Sequence, residues 1–149
     1  VQTFEGYHRP RLEEDGQGRV FLAAEAPGAG VVGFVRAGAN RSVSPTGDPL
    51  PEGFAAAWAS ELYAIYVGPR WLGRGVGRAL FHAATASLRE IGYPSMCVWV
   101  LTANARACGF YQRMGGSAGV HAPLTLAGAT YDQTSYTWAK ISEAVEASA

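Results

Sequence analysis

Nine consecutive residues, Arg70-Trp71-Leu72-Gly73-Arg74-Gly75-Val76-Gly77-Arg78, are the part of this chain best suited to chemistry. Three glycines alternate with bulkier residues just before a helical pattern begins. Glycine tolerates left-handed backbone and lets a ligand come close to its N–H groups. Those amides, at the positive end of a helix dipole, make a site for phosphate, and Arg70, Arg74 and Arg78 add charge around it. The plain alternative is a tight strand-to-helix turn with solvated arginines. Two phosphate loops are excluded by spacing. A Walker A loop needs Gly-Lys followed by Ser or Thr, whereas Gly77 is followed by Arg78 and Ala79. The G-x-G-x-x-G fingerprint fails because the last position falls on Arg78 or Leu80.

A second candidate pair is Asn104 and Tyr111, seven residues apart. That is two turns on one helical face, so both can border one ligand. Glu61 and Tyr63 alternate onto one face of a strand. Cys97 and Cys108 provide neither a disulfide framework nor a paired-cysteine zinc site. His8, His82 and His121 are scattered without ligand spacing, so no metal site is expected.

These residues need elements to hold them. Strands are expected at 20–25 and 31–36, joined by the hairpin-like APGAG. The stretch 37–57, rich in Pro, Gly, Ser and Asp, reads as a long surface loop. A strand follows at 61–67, then a helix over 75–91 stopped by Gly92 and Pro94. Residues 95–101 form a continuous apolar run, as a strand buried on both faces requires. Asn104 can cap a helix over 105–114, and two more strands fill the last third before a tail at 140–149. The order argues for an α+β or mixed α/β domain around one sheet. The 149 residues make one domain, with 1–19 as the remnant of an N-terminal helical region.

Composition narrows the function. Twelve basic residues balance twelve acidic ones, which argues against a protein that lives on the nucleic-acid backbone. No apolar run approaches the roughly 20 residues of a membrane span. A reducing, cytoplasmic setting fits two unpaired cysteines.

Residues 61–80, ELYAIYVGPRWLGRGVGRAL, resemble the fourth strand, pyrophosphate loop and following helix of the GNAT family, the GCN5-related N-acetyltransferases. The family's Q/R-x-x-G-x-G/A corresponds to Leu72-Gly73-Arg74-Gly75-Val76-Gly77, with Leu72 in place of the polar first residue. A second block, Asn104 to Gly115, is similar to the family's N-x-x-A-x-x-F-Y-x-x-x-G-F, with Gly116 in place of the aromatic. The resemblance covers about residues 20 to 138. It implies a mixed, mostly antiparallel sheet flanked by helices, and transfer of the acetyl group of acetyl-CoA to a primary amine by direct attack.

The resemblance also assigns roles. The cofactor arm would lie along Ile65-Tyr66-Val67, where a bulge splays the strand from its neighbour, with the pyrophosphate over Leu72 to Gly77 and Arg78 beside it. Asn104 would hydrogen-bond the arm, or simply cap its helix. Tyr111 matches the general acid that protonates the departing thiolate, the alternative being a ring packed on the sheet. Glu61 stands where some members carry a general base acting through a water; the alternative is an ion pair. The acceptor would be a small-molecule or peptide amine, entering between the loop 41–57 and the turn region 118–133, where Asp48, Glu52 and Asp132 could attract it. A homodimer is left open. The competing readings are a non-catalytic acyl-CoA sensor and a nucleotide-phosphate binder. Relatives place a strand and one or two helices before the hairpin, so the usual N-terminal strand and helix are expected to be missing.

Overall fold

The computed structural model describes residues 7–8, 18–41 and 46–147, with side chains described from Gly18 to Ala144 outside the break. Its elements are β1 (Tyr7–His8), β2 (Val20–Ala26), β3 (Gly30–Ala39), α1 (Phe54–Ala57), β4 (Ser60–Val67), α2 (Val76–Ile91), β5 (Met96–Leu101), α3 (Ala105–Arg113), β6 (Ser117–Leu126), β7 (Ala129–Trp138) and α4 (Ile141–Ala147). The strands form one sheet in the order β1-β2-β3-β4-β5-β7-β6. Among the described residues β4 and β5 are the parallel pair, and every other neighbouring pair is antiparallel.

Helix α2 is placed by its ends. Gly75 precedes it at φ 87, and Gly92 follows it at φ 111 with its N–H on the Arg89 and Leu88 carbonyls. The Tyr93 N–H also reaches the Leu88 carbonyl, 3.1 Å away. Both glycine angles lie in the left-handed region that side-chain-bearing residues avoid. Between these ends Val76, Leu80, Phe81, Ala84 and Leu88 are buried on one stripe. They pack on Leu22, Val35, Leu62, Val98 and Trp138 of the sheet, which is the core of the molecule. Ala127 and Gly128, both at positive φ, turn β6 into β7.

Three expectations need correction. The tail at 140–149 is instead largely helix α4, whose Ile141 and Ala144 are buried in the core; its apolar positions three apart mark one face, as a single-turn stripe does. The loop at 37–57 is shorter, because β3 continues to Ala39 and Phe54–Ala57 form one helical turn. Tyr7–His8 pair with Ala24 and Ala23 as an edge strand, although the N-terminal segment was expected to be helical. Residues 1–6 and 9–17, on which the rest of that expectation falls, lie outside the described residues.

Candidate functional site

The site begins with one extra residue in β4. Arg36 of β3 pairs with Ala64, but the next residue, Ala37, pairs with Leu62, so Tyr63 is bulged out of the ladder. Pairing between β4 and β5 stops at the same place: Ser60, Glu61 and Leu62 face Met96, Cys97 and Val98, and nothing beyond them is paired. From Tyr63 onward β4 is held by β3 alone. The backbone groups that would face β5 have no ladder partner there.

The parting opens a cavity of about 550 Å³ on the helical side of the sheet. Ile65 and Val67 of β4 line it, with Leu72, Gly73, Gly75, Gly77 and Arg78 from the glycine segment and the start of α2. Each of those seven belongs to the expected cofactor residues. Gly73 and Gly75 are at φ 76 and 87, and a Cβ built on either would meet nothing within 4 Å, so the loop presents open backbone. Gly77 differs: a Cβ there would touch Phe110 and Val67 at 3.6 Å, an ordinary packing distance.

Four expected cofactor residues do not line the cavity. The Tyr66 ring stacks on Phe34 on the other face of the sheet. Val76 is fully buried in the core. The Arg74 guanidinium lies 5.2 Å from the centre of the Trp71 ring. Asn104 caps α3, its side-chain oxygen accepting from the Ala107 N–H at 3.1 Å. The cap uses the side-chain oxygen alone and is compatible with a contact from the Asn104 amide nitrogen to a cofactor arm.

The cavity has a wall that the sequence did not disclose. Trp71, Arg106, Ala107, Phe110, Arg113 and Met114 also line it, so that three arginines, counting Arg78, surround the space. Arg106 and Arg113 are seven apart, the same two-turn spacing that singled out Asn104 and Tyr111. That signal was available.

Tyr111 lies in the cavity wall and is 7% exposed. Phe81, Phe110, Tyr136 and Trp138 surround its ring, with centroids 5.2 to 6.3 Å away. Among the described residues no hydrogen bond to its hydroxyl is formed, and burial pushes the phenol well above its ordinary value. The aromatic missing at Gly116 is supplied from elsewhere: a Cβ there would come within 2.8 Å of the Trp138 ring, which fills that space. The Trp138 indole N–H is fixed to the Met114 carbonyl at 3.0 Å.

Glu61 is on the opposite face of the sheet from the cavity. Its carboxylate takes three donors from one residue: the Arg41 backbone N–H at 3.1 Å and Nε at 3.2 Å, both on Oε1, and Nη2 at 2.6 Å on Oε2. The Glu61 side chain is 3% exposed and that of Arg41 35%. Burial works against the Arg41 charge, but the hydrogen bond and charge of Glu61 leave its pKa raised. Tyr63 lies beneath, 4.3 Å from the guanidinium to the ring centre, and its hydroxyl donates to the Ala39 carbonyl. Burial, and then the Glu61 charge, raise the Tyr63 phenol.

Two of the three carboxylates expected to attract the acceptor are committed too. Asp48 accepts from the Thr125 N–H at 2.8 Å and hydroxyl at 3.0 Å, tying the loop after β3 to β6. Asp132 accepts from Thr102 at 2.6 Å and pairs with His121 at 2.7 Å. Glu52 is exposed. Cys97 is fully buried, which raises its thiol, and Cys108 lies 3.8 Å from the Leu101 carbonyl, outside the cavity lining. Among the described residues no group of three His, Cys, Asp or Glu could hold a metal ion. Among them, too, no helix is long and apolar enough to cross a membrane.

A sheet parted between two parallel strands, with open glycine backbone and arginines at one end, defines a binder of an extended ligand that carries phosphate. The chain belongs to the Acetyltransferase (GNAT) family, whose sequence model matches residues 2–116. It is 37% identical over 102 residues to an aminoglycoside N(6')-acetyltransferase type 1 of Stenotrophomonas maltophilia. That match covers 64% of this chain and 61% of the relative. The fold is shared with the ribosomal-protein-alanine N-acetyltransferase of Brucella melitensis, at TM-score 0.64 and 24% identity over 80% of this chain and 68% of that one. It is shared also with a phosphinothricin acetyltransferase of Sinorhizobium meliloti in complex with acetyl-CoA, at TM-score 0.62 and 19% identity over 83% and 62%.

Proposed function

We propose that the chain is an N-acetyltransferase that moves the acetyl group of acetyl-CoA to a primary amine by direct attack. The observation that carries this reading is the parting of β4 from β5 at the Tyr63 bulge, which leaves a cavity with the glycine loop at one end and Tyr111 in its wall. The residues present suit the donor: unfilled space above Gly73 and Gly75 accommodates phosphate against backbone N–H groups, and Arg78, Arg106 and Arg113 balance its charge. Acetyl-CoA supplies an activated acetyl thioester. Unpaired backbone of β4 beyond Leu62 can hydrogen-bond an extended arm as a strand would.

Tyr111 is the proton donor to the leaving thiolate. Burial keeps its proton in place at every working pH. The same burial penalises both the thiolate and the phenolate that donation leaves, so the assignment rests on the place of Tyr111 in the cavity wall. For Glu61 the ion pair is the reading its geometry supports. A carboxylate already holding three Arg41 donors becomes a base only after Arg41 swings away, so we assign amine deprotonation to solvent at the cavity mouth.

The aminoglycoside relative supports a small-molecule amine as acceptor. The test is a broad amine screen with acetyl-CoA, read by release of free thiol. We expect release with at least one amine class. Binding of acetyl-CoA without release from any amine would leave a sensor in place of an enzyme, and preference for ATP or NAD over CoA would overturn the reading entirely.

A further inference from the structure

We propose that Arg41 recognises a carboxylate on the acceptor, so that the substrate is an amine that also carries an acid, an α-amino acid in its simplest form. This rests on the acetyl-transfer reading and names the acceptor of that same site. The donor cavity lies on the helical side of the sheet, where Ile65 and Val67 point. Beyond Leu62 and Val98 no ladder joins β4 to β5, and an amine that reaches this parting from the face opposite the cavity does not cross the donor.

What stands at the gap on that side is a guanidinium held in place. Glu61 pairs with Cys97 in the last stretch of β4–β5 ladder, one step before the strands part. Its buried carboxylate grips Nε and Nη2 of Arg41 along one edge. Tyr63, the bulged residue, supports the guanidinium from below. Arg41 is nevertheless about one-third exposed, while Glu61 is buried. A guanidinium carries five N–H donors in a rigid fork, and a single carboxylate occupies one edge of it. The remaining donors suit a second planar acid, and pre-positioning removes much of the ordering cost of binding it.

A second unpaired donor lies on the same face. Trp99, two residues beyond Cys97 on β5, therefore faces the same way as Cys97, with its ring 4.8 Å from that of Phe54. Its indole nitrogen is buried and has no hydrogen-bond partner among the described residues. Among those residues the Asn40 side-chain oxygen is likewise buried without a partner, so these two atoms set no sign of charge, and the demand for an acid rests on the Arg41 fork. A site of that kind selects an acceptor-rich ligand and disfavours a polycation.

The test compares the twenty L-amino acids with their C-terminal amides, which keep the amine and lose the acid. Free-thiol release from acetyl-CoA is measured with the wild type, with Arg41→Lys and with Arg41→Gln/Glu61→Gln. Lysine keeps a charge over Glu61 but has no second edge, and the double variant removes both charges, so neither protein is left with a buried unpaired ion. The wild type should turn over at least one amino acid with kcat/KM ~10-fold or more above its amide, as a charge-assisted hydrogen bond allows. In both variants that preference should shrink to within about threefold, through a higher amino-acid KM and with the acetyl-CoA KM little changed. Wild-type preference for the amides, or a preference that survives both substitutions, would overturn the assignment. Thiol release confined to amines without an acid would overturn it too, while leaving acetyl transfer intact. Release from no amine at all would remove the acetyl-transfer reading and this one with it.

Discussion

Replacing Tyr111 by Phe removes one oxygen and leaves the ring, so it separates proton donation from packing. The ring contacts with Phe81, Phe110, Tyr136 and Trp138 are apolar and survive the change. Because no described residue hydrogen-bonds to the hydroxyl, its loss strands no partner, and stability should change by no more than about 1 kcal/mol. The catalytic loss should be far larger. General acid catalysis contributes roughly 10²- to 10⁴-fold, so turnover should fall by two orders of magnitude or more, equivalent to about 3 kcal/mol of barrier. The assay is kcat from thiol release beside CoA affinity from calorimetry and a urea melt of the same preparation. The pH dependence adds a check. With the folded-state phenol raised above its ordinary value, the wild type should show no alkaline loss of kcat from Tyr111 below about pH 10. Its contribution to stability is present below that pH and declines above it, where the unfolded chain ionises first. An unchanged kcat in Tyr111→Phe, or a fall matched by lost CoA affinity, would refute the proton-donor role.

Three further outcomes follow from the same geometry. Gly75→Glu should abolish CoA binding in calorimetry while the chain still folds, because the new side chain enters open space at the loop with negative charge where phosphate belongs; retained binding would show that the loop holds something else. Gly75→Ala should keep binding but cost about 1 kcal/mol, the strain of a non-glycine residue at φ 87. Gly116→Ala should cost about 1–3 kcal/mol in a urea melt, since its Cβ would press on a Trp138 ring anchored to Met114; an unmoved midpoint would mean that the ring is not fixed.

Local signals carried most of the fold. Gly75 and Gly92 bracket α2 because each sits in a backbone region that other residues avoid, and that is a property of single positions. The apolar run at 95–101 located β5 to within a residue for a similar reason. Five residues of the glycine segment and two of β4 that were expected at the ligand line the cavity, and their spacing is short-range. What escaped was set by distant partners. Arg41 and Glu61 are 20 residues apart, and they meet because β3 and β4 pair antiparallel, with Gly38 opposite Glu61 and Ala39 opposite Ser60. Trp138 fills the space at Gly116 from the far side of a hairpin, so the substitution at 116 looked like a loss when read alone. Tyr66 and Val76 were assigned to the ligand by a contiguous motif. Both were expected there through their backbone, and alternation in the strand and the helical stripe turn only their side chains away.

The extra residue in β4 also sets the phase of everything after it. Leu62 and Ile65 pair with Ala37 and Val35, which share one side of the sheet, although a regular strand would put residues three apart on opposite sides. Drawing Tyr63 into the ladder with the register before it kept would exchange Ile65 and Val67 with Ala64 and Tyr66, and the donor channel would then be lined by a different set of side chains. Deleting Tyr63 would instead leave Ala64 opposite Arg36 and Ile65 opposite Val35, as they are now. A substitution at Tyr63 leaves this count untouched, because the count belongs to the backbone. The phase of Ile65 and Val67 is therefore kept both by a substitution at Tyr63 and by its deletion; what deletion removes is the bulge itself.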